Sequence, residues 1–240
     1  MAIDRVGDEQ TLDVLRTGEI EVLGLLPYSS NYTFLTRLGP DTLAVYKPRR
    51  GERPLWDFPH GSLAGREVAA YVVSEAGGWS IVPPTVLRED APLGPGSLQL
   101  FVEHDPERHY FTLMEERAED LVAFAAFDVV INNADRKSGH VIEDASGKLW
   151  AVDHGVTFHL EDKLRTVIWA YAGVPLDPGT IAHLETLGAA LAEPGGLGDT
   201  LEELLTPAEV AATLARTESL LVEGRFPPPP ADRPLPWPLV

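Results

Sequence analysis

Asp135, His140 and Asp153 are the side chains whose types and spacing suit chemistry on a phosphate-bearing ligand. Two acids with a histidine between them, on loops fixed by strands, can hold a divalent metal against phosphate oxygens. All three fall within residues 127–158. There an apolar run delivers a polar loop, Asn132 through His140, followed by a hairpin pattern. Val141-Ile142 forms one side, Asp144 to Lys148 turns, and Leu149-Trp150-Ala151-Val152 leads into Asp153-His154-Gly155. The two carboxylates therefore stand at the mouths of one short strand pair. Turns and strand ends also use Asp, Asn and Gly for purely local reasons. What sets this stretch apart is a lysine and an acid upstream of it, in the right order.

Lys47 ends a strand pattern over residues 42–47 and is followed by Pro48. Residues 63–76 read as a helix with Ala64, Val68, Tyr71, Val72 and Glu75 on one face and Gly77-Gly78 as the stop. Glu67 lies beside that face. Packed on the sheet, such a helix can hold Glu67 against Lys47 and fix the ammonium to receive phosphate oxygens. The competing readings are a solvated lysine and an acid that merely favours the helix N-terminal dipole.

The remaining elements must position these groups. Residues 9–16 read as an amphipathic helix closed by Gly18, and residues 19–26, 31–38 and 42–47 as a three-stranded meander. Residues 49–62 form a polar loop; residues 81–86 and 97–102 are further strands. Beyond Glu103-His104-Asp105-Pro106 the pattern turns helical, and residues 115–132 form a core helix leading to Asp135. Residues 160–169 read as a mobile loop and residues 180–192 as a helix. Thr206-Pro207-Ala208-Glu209 is a capping box that opens a helix to about Glu223, with Gly224 as its stop. Residues 226–240, half of them proline, should be extended, free or on the surface.

Length and composition bound the function. A chain of 240 residues buries a sizeable core in one domain or two lobes. Its formal charge of -18 argues against nucleic acid or anionic lipid as a non-specific partner. There is no cysteine, so no disulfide framework or thiolate chemistry. No apolar run approaches a membrane span, so no stable membrane anchor is expected and the expected location is cytoplasmic.

Taken together, Lys47, Glu67, Gln99-Leu100-Phe101-Val102, Asn133-Ala134-Asp135-Arg136 and Val152-Asp153-His154-Gly155 resemble the phosphatidylinositol 3/4-kinase-like family, most nearly the type II phosphatidylinositol 4-kinases. That family's pattern looks like a phenylalanine-lysine-proline strand end, a "GSFQLFVE"-like linker, an "NTDRGNDNW" loop and an "IDNG" metal motif. The resemblance implies an α+β, two-lobed, protein-kinase-like fold with a small antiparallel-sheet N-lobe and a mostly helical C-lobe. It divides the chain into residues 1–103 and 104–225, with 226–240 as a proline-rich tail.

By the same resemblance Lys47 holds the α- and β-phosphates of ATP, and Glu67 orients it. Ser29, Ser30 and Asn31 cradle phosphate, and Gln99, Leu100, Phe101 and Val102 form the hinge that receives adenine. Asp135 is the catalytic aspartate, and Asp153 binds Mg2+ or Mn2+. The acceptor is then a hydroxyl on a protein, metabolite or lipid headgroup. The chain departs from the family at His140, which aligns with a metal-binding asparagine, and at His154. It also lacks the cysteine-rich lipid-anchoring insert, in whose place residues 49–62 are short. If His140 ligates the second ion, activity should favour Mn2+ and fall below about pH 6 as the imidazole protonates. Two other readings remain: a nucleotide-binding pseudokinase, and a metal hydrolase built on His140, Asp153, His154 and His159.

Overall fold

The computed structural model describes residues 2–27 and 31–240. Ser29 and Ser30 of the expected phosphate loop lie outside the described residues. The chain opens with α1 (Ala2–Thr17), longer at its start than residues 9–16 suggest. Its Leu15 is fully buried against Leu38, Ala44, Tyr46, Val86 and Leu98 of the sheet beneath it.

That sheet contains β1 (Ile20–Leu25), β2 (Phe34–Leu38), β3 (Thr42–Pro48), β4 (Thr85–Arg88) and β5 (Gly96–Leu100). It is antiparallel throughout, in the order β1-β2-β3-β5-β4. The three-stranded meander is thus the first part of a five-stranded sheet. Residues 81–86 join it only from Thr85, because Pro83 and Pro84 have no N–H for a ladder.

Helix α2 (Leu63–Ala76) matches its expected span, and Ala64, Val68 and Tyr71 of its expected face are buried, but the rest of that face is not. Glu75 is exposed and Val72 half-buried, whereas Ala69, Ala70 and Val73 are fully covered. One apolar stripe does not describe this helix because it is sandwiched. It touches β4 and β5 on one side and α5 (Pro178–Ala192) and α6 (Leu197–Glu202) on the other.

The second half is built on β6 (His104–His109), β7 (Val141–Asp144) and β8 (Leu149–Ala151), a three-stranded sheet in that order. The helical turn expected directly after Pro106 is therefore corrected: the chain first continues as β6. Its exposed Asp105, Pro106 and Glu107 show no apolar alternation from which a strand could be read. Then come α3 (Tyr110–Leu113), α4 (Ala118–Val130) and, after α5 and α6, α7 (Pro207–Glu223). Leu121, Phe124 and Phe127 of α4 meet Leu184 and Leu187 of α5 in the main core. The Thr206–Glu209 capping box is reciprocal, and Gly224 stops α7 in a left-handed conformation at φ 63°.

Two segments expected to be loose are held. Residues 160–169 have no regular structure, yet the Arg165 N–H donates to Asn133 O at 2.9 Å and the Arg136 N–H to Arg165 O at 3.0 Å. In the proline-rich tail Phe226 is buried. Pro234 O accepts from the Thr166 N–H at 3.2 Å and Leu239 O from the Ser138 N–H at 2.8 Å. The tail lies against the loop that carries Asp135. The architecture is α+β, an antiparallel-sheet lobe beside a largely helical one. Among the described residues, no helix is long and apolar enough to cross a membrane.

Candidate functional site

Lys47 is carried by β3, paired with Ser97 of β5. The strands approach closely here: a Cβ at Gly96 would lie 2.4 Å from Lys47 O, so the position demands glycine. The Lys47 ammonium points at α2, with Nζ 2.5 Å from Glu67 Oε1, and it also lies 2.9 Å from Asp153 Oδ1. The second Glu67 oxygen, Oε2, accepts from the His154 N–H at 3.0 Å. Glu67 thus ties a strand of the first sheet to the turn after β8. Asp153 itself has φ 61°, a left-handed conformation unusual outside glycine.

These groups floor a small cleft of about 40 Å³ that opens to solvent. Lys47, Glu67, Asp135, Asp153 and Asn31 all line it. Asn31 Oδ1 also accepts from the Arg53 N–H at 2.8 Å, tying the start of β2 to residues 49–62. Gln99, Leu100, Phe101 and Val102 lie outside the cleft lining, at the end of β5. The Gln99 side chain turns inward to Thr85 Oγ1 at 2.8 Å. The N–H groups of Leu100 and Phe101 are bound to Pro84 O and Leu43 O, both at 2.9 Å.

The loop carrying Asp135 is shaped from below by Arg136, named in the sequence only as part of a motif and given no role there. Its side chain and that of Asp128 are fully buried. Arg136 Nε donates to both Asp128 oxygens, at 3.0 and 3.1 Å. Nη1 reaches His140 O at 3.1 Å and Val152 O at 2.9 Å. Nη2 lies 2.8 Å from His154 Nε2. Since a guanidinium only donates, His154 Nε2 accepts and the ring is neutral with its proton on Nδ1. Burial, then the charges of Arg136 and Lys47, hold the His154 pKa well below its usual value. Asp128 takes further bonds from Asn133 Nδ2 at 2.9 Å and Thr166 Oγ1 at 3.1 Å. The one available signal was an acid within the otherwise apolar run of residues 121–131, seven residues before Asp135.

His140 Nε2 stands 3.3 Å from Asp153 Oδ2. Burial and the neighbouring cations Arg136, Lys137 and Lys47 push its pKa down to about 4, against the pull of Asp153. The imidazole is therefore neutral well below pH 6, and the acid limit expected from an ordinary histidine moves down. Partial loss of solvent opposes ionisation of Asp153, but Lys47, then His140 and Lys137, keep its carboxyl well below the usual range. Burial raises the pKa of Asp135, helped by Asp153 and opposed by Lys137 and Arg136. The Lys47 pKa is raised: burial works against the charge, and Asp153 and Glu67 outweigh it.

Among the described residues, no three His, Cys, Asp or Glu side chains are grouped to hold a metal by themselves. His154 is committed to Arg136, and His159 Nε2 lies 2.9 Å from Asp57 O. The four-residue metal-hydrolase set is thus not assembled. Asp153 and His140 fit a different kind of site, in which phosphate and water oxygens complete the coordination of a hard divalent ion.

No family model matches the sequence. Protein Rv2133c of Mycobacterium tuberculosis (strain ATCC 25618 / H37Rv) is 41% identical over a 263-residue alignment that covers 94% of each chain. The chain belongs to the family of Rv2133c. Two plant proteins, both phosphatidylinositol 4-kinase gamma 4, are more distant relatives of this Rv2133c-family chain. The one from Oryza sativa subsp. japonica is 27% identical over 217 residues, covering 75% of this chain and 38% of that protein. The one from Arabidopsis thaliana is 29% identical over 197 residues, covering 68% and 33%. The chain therefore spans about a third of the length of the plant kinases it matches.

Solved structures show the fold to be kinase-like. The Golgi casein kinase with Mn/ADP bound superposes with a TM-score of 0.59 at 16% identity, covering 91% of this chain and 75% of that one. Hydra Fam20 with sugar gives 0.59 at 16% identity, covering 91% and 88%. The Helicobacter pylori proinflammatory kinase CtkA gives 0.50 at 10% identity, covering 85% and 92%.

Proposed function

We propose that this chain is an ATP-dependent phosphotransferase that moves the γ-phosphoryl group of ATP to a hydroxyl acceptor. One observation carries the reading: Lys47 Nζ lies within 3 Å of both Glu67 and Asp153, on the floor of a cleft shared with Asp135. A strand lysine oriented by a helix glutamate, facing an aspartate after a hairpin, is an arrangement that receives nucleotide phosphates. The kinase-like fold and the Mn/ADP complex of one structural neighbour support it.

In this reading residues 1–103 form the nucleotide-holding lobe, residues 104–225 the catalytic lobe, and residues 226–240 a brace on the second. Lys47 holds the α- and β-phosphates, and Ser29, Ser30 and Asn31 cover them. Adenine meets the hinge that runs from Gln99 to Val102. Because the amides of Leu100 and Phe101 are already bound within the sheet, Val102 supplies the backbone edge. Asp153 and His140 hold Mg2+ or Mn2+, which when bound neutralises phosphate charge. Asp135 orients the acceptor hydroxyl and takes its proton. The acceptor belongs to a protein, a metabolite or a lipid headgroup, and the setting is cytoplasmic, without nucleic acid or a stable membrane anchor.

A panel of nucleotides with Mg2+ or Mn2+ tests the reading, by melting temperature and by ADP formed from ATP. ATP with metal should raise the melting point, because a ligand selective for the folded state stabilises it. It should also be turned over. A melting shift with no ADP would make the chain a pseudokinase; neither response would end the nucleotide reading.

A further inference from the structure

We infer that Arg66 is a positioning residue that keys α2 to the helical lobe and so keeps Glu67 between Lys47 and the turn after β8. Its effect on rate rests on the phosphotransferase reading above; the geometry does not. Arg66 directly precedes Glu67, and its side chain is 1% exposed. Arginine is rarely enclosed to this degree unless it is paired, because a buried charge without partners is costly. Here the partners come from three segments. Nη1 donates to Thr157 O at 2.5 Å and Nη2 to Glu209 Oε1 of α7. Nε donates to Ser62 Oγ at 3.3 Å, and the guanidinium lies over the Phe58 ring, 4.9 Å from its centroid.

The far ends of these contacts are themselves fixed. Thr157 Oγ1 donates to His154 O at 2.7 Å, which folds the turn that follows Asp153. Glu209 Oε2 accepts from the Thr206 N–H at 2.9 Å, in the capping box of α7. Burial works against the Glu209 charge, but the Thr206 amide and Arg66 outweigh it and lower its pKa. The pair is therefore ionised, and Arg66 is anchored to a rigid helix start.

Successive helical residues point about 100° apart, so neighbours can do different work. Leu63, Ala64 and Glu67 of α2 line the cleft, whereas Arg66 is directed to α7 and the turn after β8. Between them Gly65 brings the helix against the other lobe: a Cβ there would lie 2.9 Å from Leu204 O, in the link from α6 to α7. Residues 154–157 are then gripped twice from α2. Glu67 Oε2 takes the His154 N–H at 3.0 Å, and Arg66 reaches Thr157 O three residues on. Without Arg66, Glu67 alone would hold α2 to that turn while also orienting Lys47. A displacement of about 1 Å in such a support costs up to about a hundredfold in rate.

Two variants of the full chain separate positioning from stability. Arg66→Met leaves Glu209 buried and unpaired, and should lower the melting temperature by about 10 °C. Adding Glu209→Gln removes that charge and keeps the capping box, so the double variant should regain at least half of the loss. Neither variant restores the tie to Thr157 O. Hydrogen exchange by NMR then reads the position of Glu67. In both variants the His154 amide should exchange at least about tenfold faster relative to the Phe158 amide, which is bound to Ile131 O. ADP formation from ATP with Mg2+ or Mn2+ should show kcat lowered about 10–100-fold in both, with the KM for ATP changed less than about threefold. If the His154 and Phe158 amides accelerate alike, or if the double variant regains the wild-type kcat along with its melting temperature, Arg66 only stabilises the fold and the inference falls. A wild-type chain that forms no ADP ends the phosphotransferase reading, and exchange at His154 still decides the role of Arg66.

Discussion

Arg136 and Asp128 are fully buried, and each guanidinium nitrogen has an acceptor. Lys47 and Asp153 also form an ion pair, but the Asp153 side chain is 48% exposed on an open cleft. In the first pair the guanidinium has no nitrogen left without an acceptor, so Arg136 holds the surrounding backbone in place. The second keeps carboxylate lone pairs and ammonium protons turned towards space that a ligand can fill. Charges of one kind, joined by the same loop, thus divide into scaffold and site according to whether the protein itself satisfies them all.

The contrast is broken most directly at Arg136. Arg136→Leu leaves Asp128 charged and unpaired in the core, and should cost about 3–5 kcal/mol of stability in urea unfolding. Lys47→Met should behave differently. It leaves the buried Glu67 without its cation and should cost less stability than Arg136→Leu, since the cleft side stays solvated, while ADP formation falls about 10²–10³-fold. Equal destabilisation by the two substitutions would erase the distinction between them.

His140 sharpens the comparison, because it borders both clusters. Its folded-state pKa of about 4 lies below that of the unfolded chain, about 6.5. Below pH 6.5 the unfolded chain takes up a proton that the folded one refuses. This contribution to stability is therefore complete above about pH 6.5 and erodes as the pH falls towards 4, by up to about 1.4 kcal/mol per pH unit. His140→Asn should flatten the slope measured by urea unfolding from pH 7 to 4, leaving the part due to His154. The same substitution should raise Mg2+-supported turnover relative to Mn2+, since an amide oxygen replaces a softer nitrogen ligand.

The smallest effect expected is at the tail. Ending the chain after Arg233 removes the Pro234 and Leu239 carbonyls that bind Thr166 and Ser138. Stability should fall by about 1–3 kcal/mol, at about 1 kcal/mol per hydrogen bond plus the lost packing of Leu239. Hydrogen exchange at the Ser138 amide should accelerate more than exchange within α7. Unchanged protection at Ser138 would show that Arg136 alone shapes the loop.

Much of the site's vocabulary is legible in the sequence because it depends on local order. A lysine before proline at a strand end, a helix bounded by Gly77-Gly78 and a hairpin ending in Asp-His-Gly are set by turn chemistry and periodicity within a few residues. α2 and α7 carry their bounds in the same way. β6 is not legible, because its residues are polar and its partner β7 lies more than thirty residues away. The buried face of α2 is not legible either, since two lobes cover it.

The sequence by itself determined which charges exist and where strands and helices break. It did not determine that Arg136 would turn inward to Asp128 while its neighbour Asp135 lines the cleft and pairs with Lys137. Nor did it determine that a proline-rich tail would close on the loop between them and His140. Those outcomes depend on partners brought together from α4, the turn after β8 and the far end of the chain. An ion pair's role follows from how completely its surroundings desolvate and satisfy it, and only the assembled tertiary structure sets those surroundings.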